Sequence, residues 1–182
     1  MKNFLPVLTI VTLFYSCGNA NSSAGKKDST SSGSTVIEKK ENWRYYSDTD
    51  KMDNKTTSFA DCKSLNSVDL SFPYDGGSKL IITLRKGFKG SSNETILSIS
   101  KGQFMTSLDR SETIRAKFDD DKPQSFHFGM AKDGSSDYVF LSESSDFISK
   151  LKSAKKVMIE VEFYGNGLKQ FEFDVTGLDW SK

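Results

Sequence analysis

With one histidine and two cysteines in 182 residues, the chain has little from which to build the common catalytic centres. A single imidazole, His127, cannot make a His-rich zinc site, and any Ser-His-Asp triad would have to use it. His127 lies between Phe126 and Phe128, so strand alternation turns it to the face opposite those rings. There is no G-x-S-x-G, and Gly76-Gly77 has neither the Walker nor the Rossmann setting, so it reads as a turn. The chain also lacks excess charge of either sign: 25 Lys and Arg face 24 Asp and Glu. Setting aside Lys2, Lys26, Lys27, Lys39 and Lys40, and with them Asp28 and Glu38, leaves 20 basic and 22 acidic groups from residue 41 onward. No basic field remains to attract phosphates, which argues against a nucleic-acid partner. No cofactor motif is present, and none is expected.

Long apolar runs are missing too, with one short exception. Phe4 to Tyr15 is a twelve-residue apolar stretch behind Lys2. As a helix it would reach about 18 Å, against a hydrocarbon core of about 30 Å. That is too short to span a membrane and the right size for the apolar region of a signal peptide. It ends Leu13-Phe14-Tyr15-Ser16-Cys17-Gly18, and a small residue before a cysteine at this place resembles the bacterial lipobox. The resemblance implies cleavage between Ser16 and Cys17, with diacylglyceryl and fatty-acyl (palmitate-type) groups carried on Cys17. Residues 18–42 are rich in Ser, Gly, Asn and Thr and nearly free of apolar side chains. Such a segment buries too little surface to offset its ordering entropy, and reads as a flexible tether of roughly 25–30 Å. The expected organisation is a signal peptide over 1–16, a lipidated Cys17 and tether over 17–42, and one β-rich domain over 43–182. Anchoring would place the domain in the bacterial cell envelope, on the inner or the outer membrane. A lipidated Cys17 would leave Cys62 as a lone thiol, best read as a small buried apolar residue.

From Trp43 onward, period-two alternation dominates. Leu80, Ile82 and Leu84 share a face, as do Ile114, Ala116 and Phe118, and Phe126, Phe128 and Met130. Val157, Ile159, Val161 and Phe163 alternate with Met158, Glu160 and Glu162, and Phe171, Phe173 and Val175 with Glu172 and Asp174. Gly165-Asn166-Gly167 suits the hairpin between those last two runs, because Gly and Asn tolerate positive φ. Further turns are expected at Asp119–Pro123 and Lys132–Ser136. One helix is expected over Asp146–Ser153, capped by Ser144 or Ser145, with Phe147, Ile148 and Leu151 as its apolar stripe. About eight short antiparallel strands and one helix predict a mainly β fold, a sandwich or partly open barrel, with the helix as a lid.

The remaining polar clusters have bland readings. Asp48-Thr49-Asp50 with Asp53 are candidate oxygen ligands for calcium, yet Met52 and Phe59 stand where an EF-hand loop needs its third ligand and its bidentate Glu. Ser149–Lys152 and Ser153–Lys156 match S-x-x-K without the companion S-D-N and K-T-G motifs. Asp119-Asp120-Asp121 is a candidate carboxylate centre or a solvated turn. Aromatic residues fall mostly on the inward faces, which favours core over a sugar-binding platform. Glu160 and Glu162 on one strand and Glu172 and Asp174 on the next form a candidate acidic partner surface. Like charges opposed across strands are unfavourable, so Arg115 and Lys117 are expected beside Glu160 or Glu162.

Trp43-x-Tyr45, Asp50-x-Met52, Pro73-Tyr74-x-Gly76-Gly77 with Leu80 and Arg85, Gly102-Gln103-Phe104, Phe118-Asp119-Asp120 and Gly177-Leu178-x-Trp180 together resemble a group of exported bacterial and phage β-sandwich proteins. That group is similar in outline to type VI secretion accessory lipoproteins and to invasion-associated locus B proteins. The resemblance implies an exported β-sandwich and no catalytic residues. The functional expectation is a non-enzymatic, lipid-anchored accessory or binding module of the envelope, with an envelope protein as partner. The alternatives are an envelope hydrolase working through carboxylates and a structural subunit of an envelope complex.

Overall fold

The computed structural model describes residues 42–90, 92–106 and 112–180. Nine strands form a single antiparallel sheet: β1 (Trp43–Thr49), β2 (Thr56–Lys63), β3 (Leu80–Lys86), β4 (Glu94–Ile99), β5 (Glu112–Phe118), β6 (Gln124–Met130), β7 (Tyr138–Leu141), β8 (Lys156–Phe163) and β9 (Gly167–Asp174). One helix, α1 (Ser144–Ser153), separates β7 from β8. The spatial order is β1-β2-β3-β4-β7-β6-β5-β8-β9. The fold is therefore the mainly β, antiparallel, one-helix architecture that alternation predicts, as an open sheet rather than a closed barrel.

Alternation decides which face is inside. Leu80, Ile82 and Leu84, then Ile114, Ala116 and Phe118, and Val157, Ile159, Val161 and Phe163 are all buried, as are Phe171 and Phe173. Their outward neighbours Thr113, Arg115 and Glu162 are exposed. Phe163 pairs with Gly167, and Gly165 and Gly167 both have positive φ, so the three-residue turn sits where glycine is conformationally free. The Asp119–Pro123 and Lys132–Ser136 turns lie in the β5–β6 and β6–β7 connections.

The strand order places the helix. β7 lies beside β4 and β8 lies beside β5, so the chain must pass β6 and β5 on its way. Along that path Phe147 packs edge-on against Phe126 and Phe118, at centroid distances of 5.1 and 5.5 Å. Phe147, Ile148 and Leu151 are buried, forming the expected stripe. The start of the helix differs from expectation. Ser144 is its first residue, Glu143 holds the cap position, and no side chain caps it. The Ser144 hydroxyl instead donates to the Leu141 carbonyl and accepts from the Thr95 N–H, both at 2.8 Å. That choice ties α1 to β4, a tertiary use of a residue whose local preference is capping.

The two edges of the sheet are treated differently. At β9, the loop after β2 supplies the missing ladder. Leu65 N–H donates to the Glu172 carbonyl at 2.7 Å. The Asn66 amide oxygen accepts from Glu172 N–H at 2.8 Å, and its NH2 donates to the Gln170 carbonyl at 3.0 Å. A primary amide carries one donor side and one acceptor side, so Asn66 stands in for a peptide of an adjoining strand. At β1 no strand or loop among the described residues does this. Trp43 Nε1–H donates to the Val175 carbonyl, and the Tyr45 hydroxyl accepts from Asp179 N–H. Both contacts run from the inner face to the C-terminal segment and leave the strand's main-chain edge open.

Candidate binding surface

Ser16 and Cys17 lie outside the described residues. Among the described residues no group of three or more His, Cys, Asp or Glu is placed to hold a metal ion. Asp48, Asp50 and Asp53 line one side of a hollow of about 370 Å³ beside Lys55, Arg85 and Phe88. They do not converge as ligands. Asp50 accepts from the Met52 N–H and Asp53 from the Lys55 N–H, closing the β1–β2 turn. Lys55 Nζ lies 2.9 Å from Asp53, and its hydrogen bonds hold that carboxyl below the ordinary range.

The Asp119–Asp121 cluster lines a cleft of about 250 Å³ with Asp146, Ser149, Lys150 and Ser153. Asp119 Oδ1 accepts from the main-chain N–H of both Lys155 and Lys156, at 3.0 and 2.8 Å. Asp119 thus fixes the entry to β8, an observation that weighs against the carboxylate-hydrolase alternative. Asp146 pairs loosely with Lys150 at 3.8 Å. In the two S-x-x-K sequences, the Ser153 hydroxyl donates to the Ser149 carbonyl. No nucleophile–base pair is formed there.

His127 is exposed and outward, as alternation requires. Its Nδ1 lies 2.8 Å from Glu143 Oε1, while its main-chain N–H donates to Oε2 at 2.9 Å. Desolvation raises the Glu143 pKa, but the two His127 bonds outweigh it, and the carboxyl lies below its usual value. Cys62 is buried, its Sγ 3.5 Å from the Asp174 carbonyl. Burial, with Asp174 and Asp61 nearby, pushes its thiol up to about 12, so almost no nucleophilic thiolate exists at neutral pH.

Compared with known protein families, with curated proteins and with solved structures, the chain has no match.

The acidic hairpin face is arranged by register. Glu160 is opposite Gln170, Glu162 opposite Leu168, Glu172 opposite Met158, and Asp174 opposite Lys156. The four carboxylates therefore avoid facing one another, so the register itself relieves the repulsion expected from their clustering. On the other side of β8, Arg115 is directly opposite Glu160 and Lys117 opposite Met158. Arg115 reaches Glu160 at 2.8 Å, the neighbour relation the charge pattern predicts. Gln170 donates to the second oxygen of Glu160 at 2.7 Å. Glu160 is thereby occupied within its own sheet rather than presented to a partner.

The more distinctive surface is the end of the sheet at β1. Arg44, Tyr46 and Asp48 face outward, and Trp43, Tyr45 and Ser47 inward. Tyr46 stacks on Phe59 at 4.7 Å and 6°, and the register continues the row to Arg85 and Glu94. Arg85 bonds Glu94 at 2.8 Å and lies over the Phe88 ring at 4.2 Å. Arg44 reaches across to Asp61 at 2.7 Å, and the Asp61 hydrogen bond and charge raise its already high pKa. Among the described residues the Asp48 side chain has no hydrogen-bond or ion-pair partner. Tyr45 and Tyr46 are 45% and 43% exposed, high values for aromatic residues on a regular strand. In the sequence this strand is hidden, because WRYYSDT places an aromatic residue on each face and so masks the alternation. The signal available was the density of strand-favouring aromatics.

Proposed function

We propose that the chain is a non-enzymatic, lipid-anchored binding module of the bacterial cell envelope, and that it engages a protein partner by adding a strand to the free edge of β1. The observation that carries the reading is the contrast between the two edges: β9 is capped by Leu65 and Asn66, while β1 is seven residues long and, among the described residues, open. An uncovered edge presents unpaired N–H and C=O groups that template another strand. Lys2, the short apolar run and Ser16-Cys17 support the anchor.

The open groups belong to alternate residues. Asp50 N–H donates to the Lys55 carbonyl across the hairpin, so the even-numbered residues direct their main-chain groups toward β2. Trp43, Tyr45, Ser47 and Thr49 then point theirs outward. Ser47→Pro removes one outward donor while sparing the β1–β2 ladder. A photo-crosslinking residue at Thr49 in the full chain, in cells, should give one discrete adduct that Ser47→Pro abolishes while the domain stays folded. An adduct indifferent to Ser47→Pro, or none at all, rejects strand addition. Cys17→Ala should leave the precursor uncleaved and stop fatty-acid incorporation, and undiminished labelling rejects the anchor.

A further inference from the structure

We infer that the strand accepted by β1 is the β1 of a second copy, paired antiparallel about a two-fold axis through Tyr46. The inference rests on the strand-addition reading above and names its partner. Charge complementarity within one short strand selects this partner. The outward residues are Arg44, Tyr46 and Asp48, with opposite charges two positions either side of an aromatic. Antiparallel pairing centred on Tyr46 sets Arg44 of each copy opposite Asp48 of the other, twice by symmetry, and brings the two Tyr46 residues together. Centring on Tyr45 loses both ion pairs. Centring on Ser47 sets Arg44 opposite Asp50, which lies beyond the end of β1 and already accepts from the Met52 N–H, and leaves Asp48 facing Tyr46. Parallel in-register pairing sets Arg44 on Arg44 and Asp48 on Asp48, which is repulsive. The isologous arrangement is thus the one that this sequence favours over its neighbours.

Backbone geometry agrees with that centre. Tyr46 has its main-chain groups turned to β2, so the two Tyr46 residues form a non-hydrogen-bonded pair, the closer kind, with Cα atoms about 4.5 Å apart. Tyr45 with Ser47 and Trp43 with Thr49 of the other copy then exchange main-chain hydrogen bonds across the seam. On the outer face the Tyr46–Phe59 stacks of both copies become one aromatic row. Asp48 gains the partner it lacks among the described residues of its own chain, and Arg44, bonded to Asp61 through one terminal nitrogen, has donors left for a second carboxylate.

Cysteine crosslinking reads this register directly. A non-hydrogen-bonded antiparallel pair falls within the Cα separation a disulfide accepts, roughly 4.4–6.8 Å. Tyr46→Cys in the full chain, oxidised in envelopes, should give a covalent dimer at twice the chain mass. Ser47→Cys, whose opposite residue is Tyr45, should give little. The native Cys62 is buried and does not compete. Asp48→Lys, which breaks no contact among the described residues, should lower Tyr46→Cys dimer yield by about tenfold, because it sets an ammonium against Arg44 of the other copy. Equal dimer from Tyr46→Cys and Ser47→Cys would mean random collision and overturn the pairing. So would an unchanged yield with Asp48→Lys. If no dimer forms but the Thr49 probe still gives its Ser47→Pro-sensitive adduct with a different protein, self-pairing fails and strand addition stands. If neither forms, both fail.

Discussion

Replacing Asn66 with Ala tests the claim that one side chain serves as the missing strand beside β9. The substitution removes the bond from Asn66 to the Gln170 carbonyl and the bond it accepts from Glu172 N–H, 3.0 and 2.8 Å long. Each net hydrogen bond contributes about 0.5–1.5 kcal/mol. Glu172 and Gln170 are exposed, so water replaces part of the loss and the lower half of the range applies. The two bonds together should contribute about 1–2 kcal/mol, and the Leu65 bond remains. For a domain of this size that corresponds to a fall in Tm of roughly 4–8 °C. Asn66→Asp is the sharper variant. It keeps an acceptor for Glu172 N–H but turns a carboxylate oxygen toward the Gln170 carbonyl, so it should cost at least as much as Ala despite being nearly isosteric. Urea titration gives the stability, and amide hydrogen exchange gives the location, since Glu172 N–H should lose protection well before its inward neighbours. A loss below about 0.3 kcal/mol for both variants, with Glu172 exchange unchanged, would refute the reasoning, because the amide would then be a surface contact and no cap.

Three other outcomes are expected. Cys62, with its thiol pushed up to about 12 by burial, should resist alkylation at pH 8 in the native protein and react fully only in denaturant; rapid native labelling would show that β2 opens easily. Glu143, held down against desolvation by His127, and Asp174 and Asp133, held down first by the Thr176 and Tyr138 hydroxyls, all lie below their ordinary values. Such depressed groups stabilise the fold fully above the ordinary carboxylate pKa, about 4, and the contribution is lost as pH falls through the lower folded values. The urea midpoint should therefore drop below about pH 4, and Asp174→Asn should shrink that drop; a midpoint flat to about pH 2.5 contradicts the assignment. A double-mutant cycle on Arg115 and Glu160, whose side chains are 58% and 16% exposed, should give a coupling of about 0.2–1 kcal/mol that weakens with salt. Zero coupling at low salt would make their contact incidental.

The parts of the fold that were legible in the sequence are those with one wet face and one dry face. β5 and β6 fall on the residues that alternation marks, β3 and β8 lie within one residue, and β9 begins three residues before its marked run. β4 and β7 are harder to read because Ile96 and Phe140, on their outward faces, are half-buried, which blurs period two. β7 has only four residues. The helix was legible from its stripe, but its first turn was not, since the Ser144 hydroxyl answers to Thr95 across the fold rather than to its own helix. Strand order was the least accessible: β5, β6 and β7 are inserted between β4 and β8, a pairing set by which inward side chains fill the core together. At the candidate surface, the ion pair of Arg115 with Glu160 followed from charge pattern, whereas the opposite treatment of β1 and β9 depends on where a distant loop brings Asn66.

A side chain that mimics a peptide has a consequence for stoichiometry. Because Asn66 occupies one end of the sheet and, among the described residues, the other end is open, strand addition as proposed would give the domain a valence of one. Such a domain would extend its sheet in a single direction and offer the newcomer no second site. A union of two β1 strands would join two nine-stranded sheets into one with an amide cap at each end, and growth would stop there. Union with a foreign strand would likewise hold one partner per domain. Uncapping β9 would raise the valence to two, and a protein that closes in pairs would become one able to polymerise.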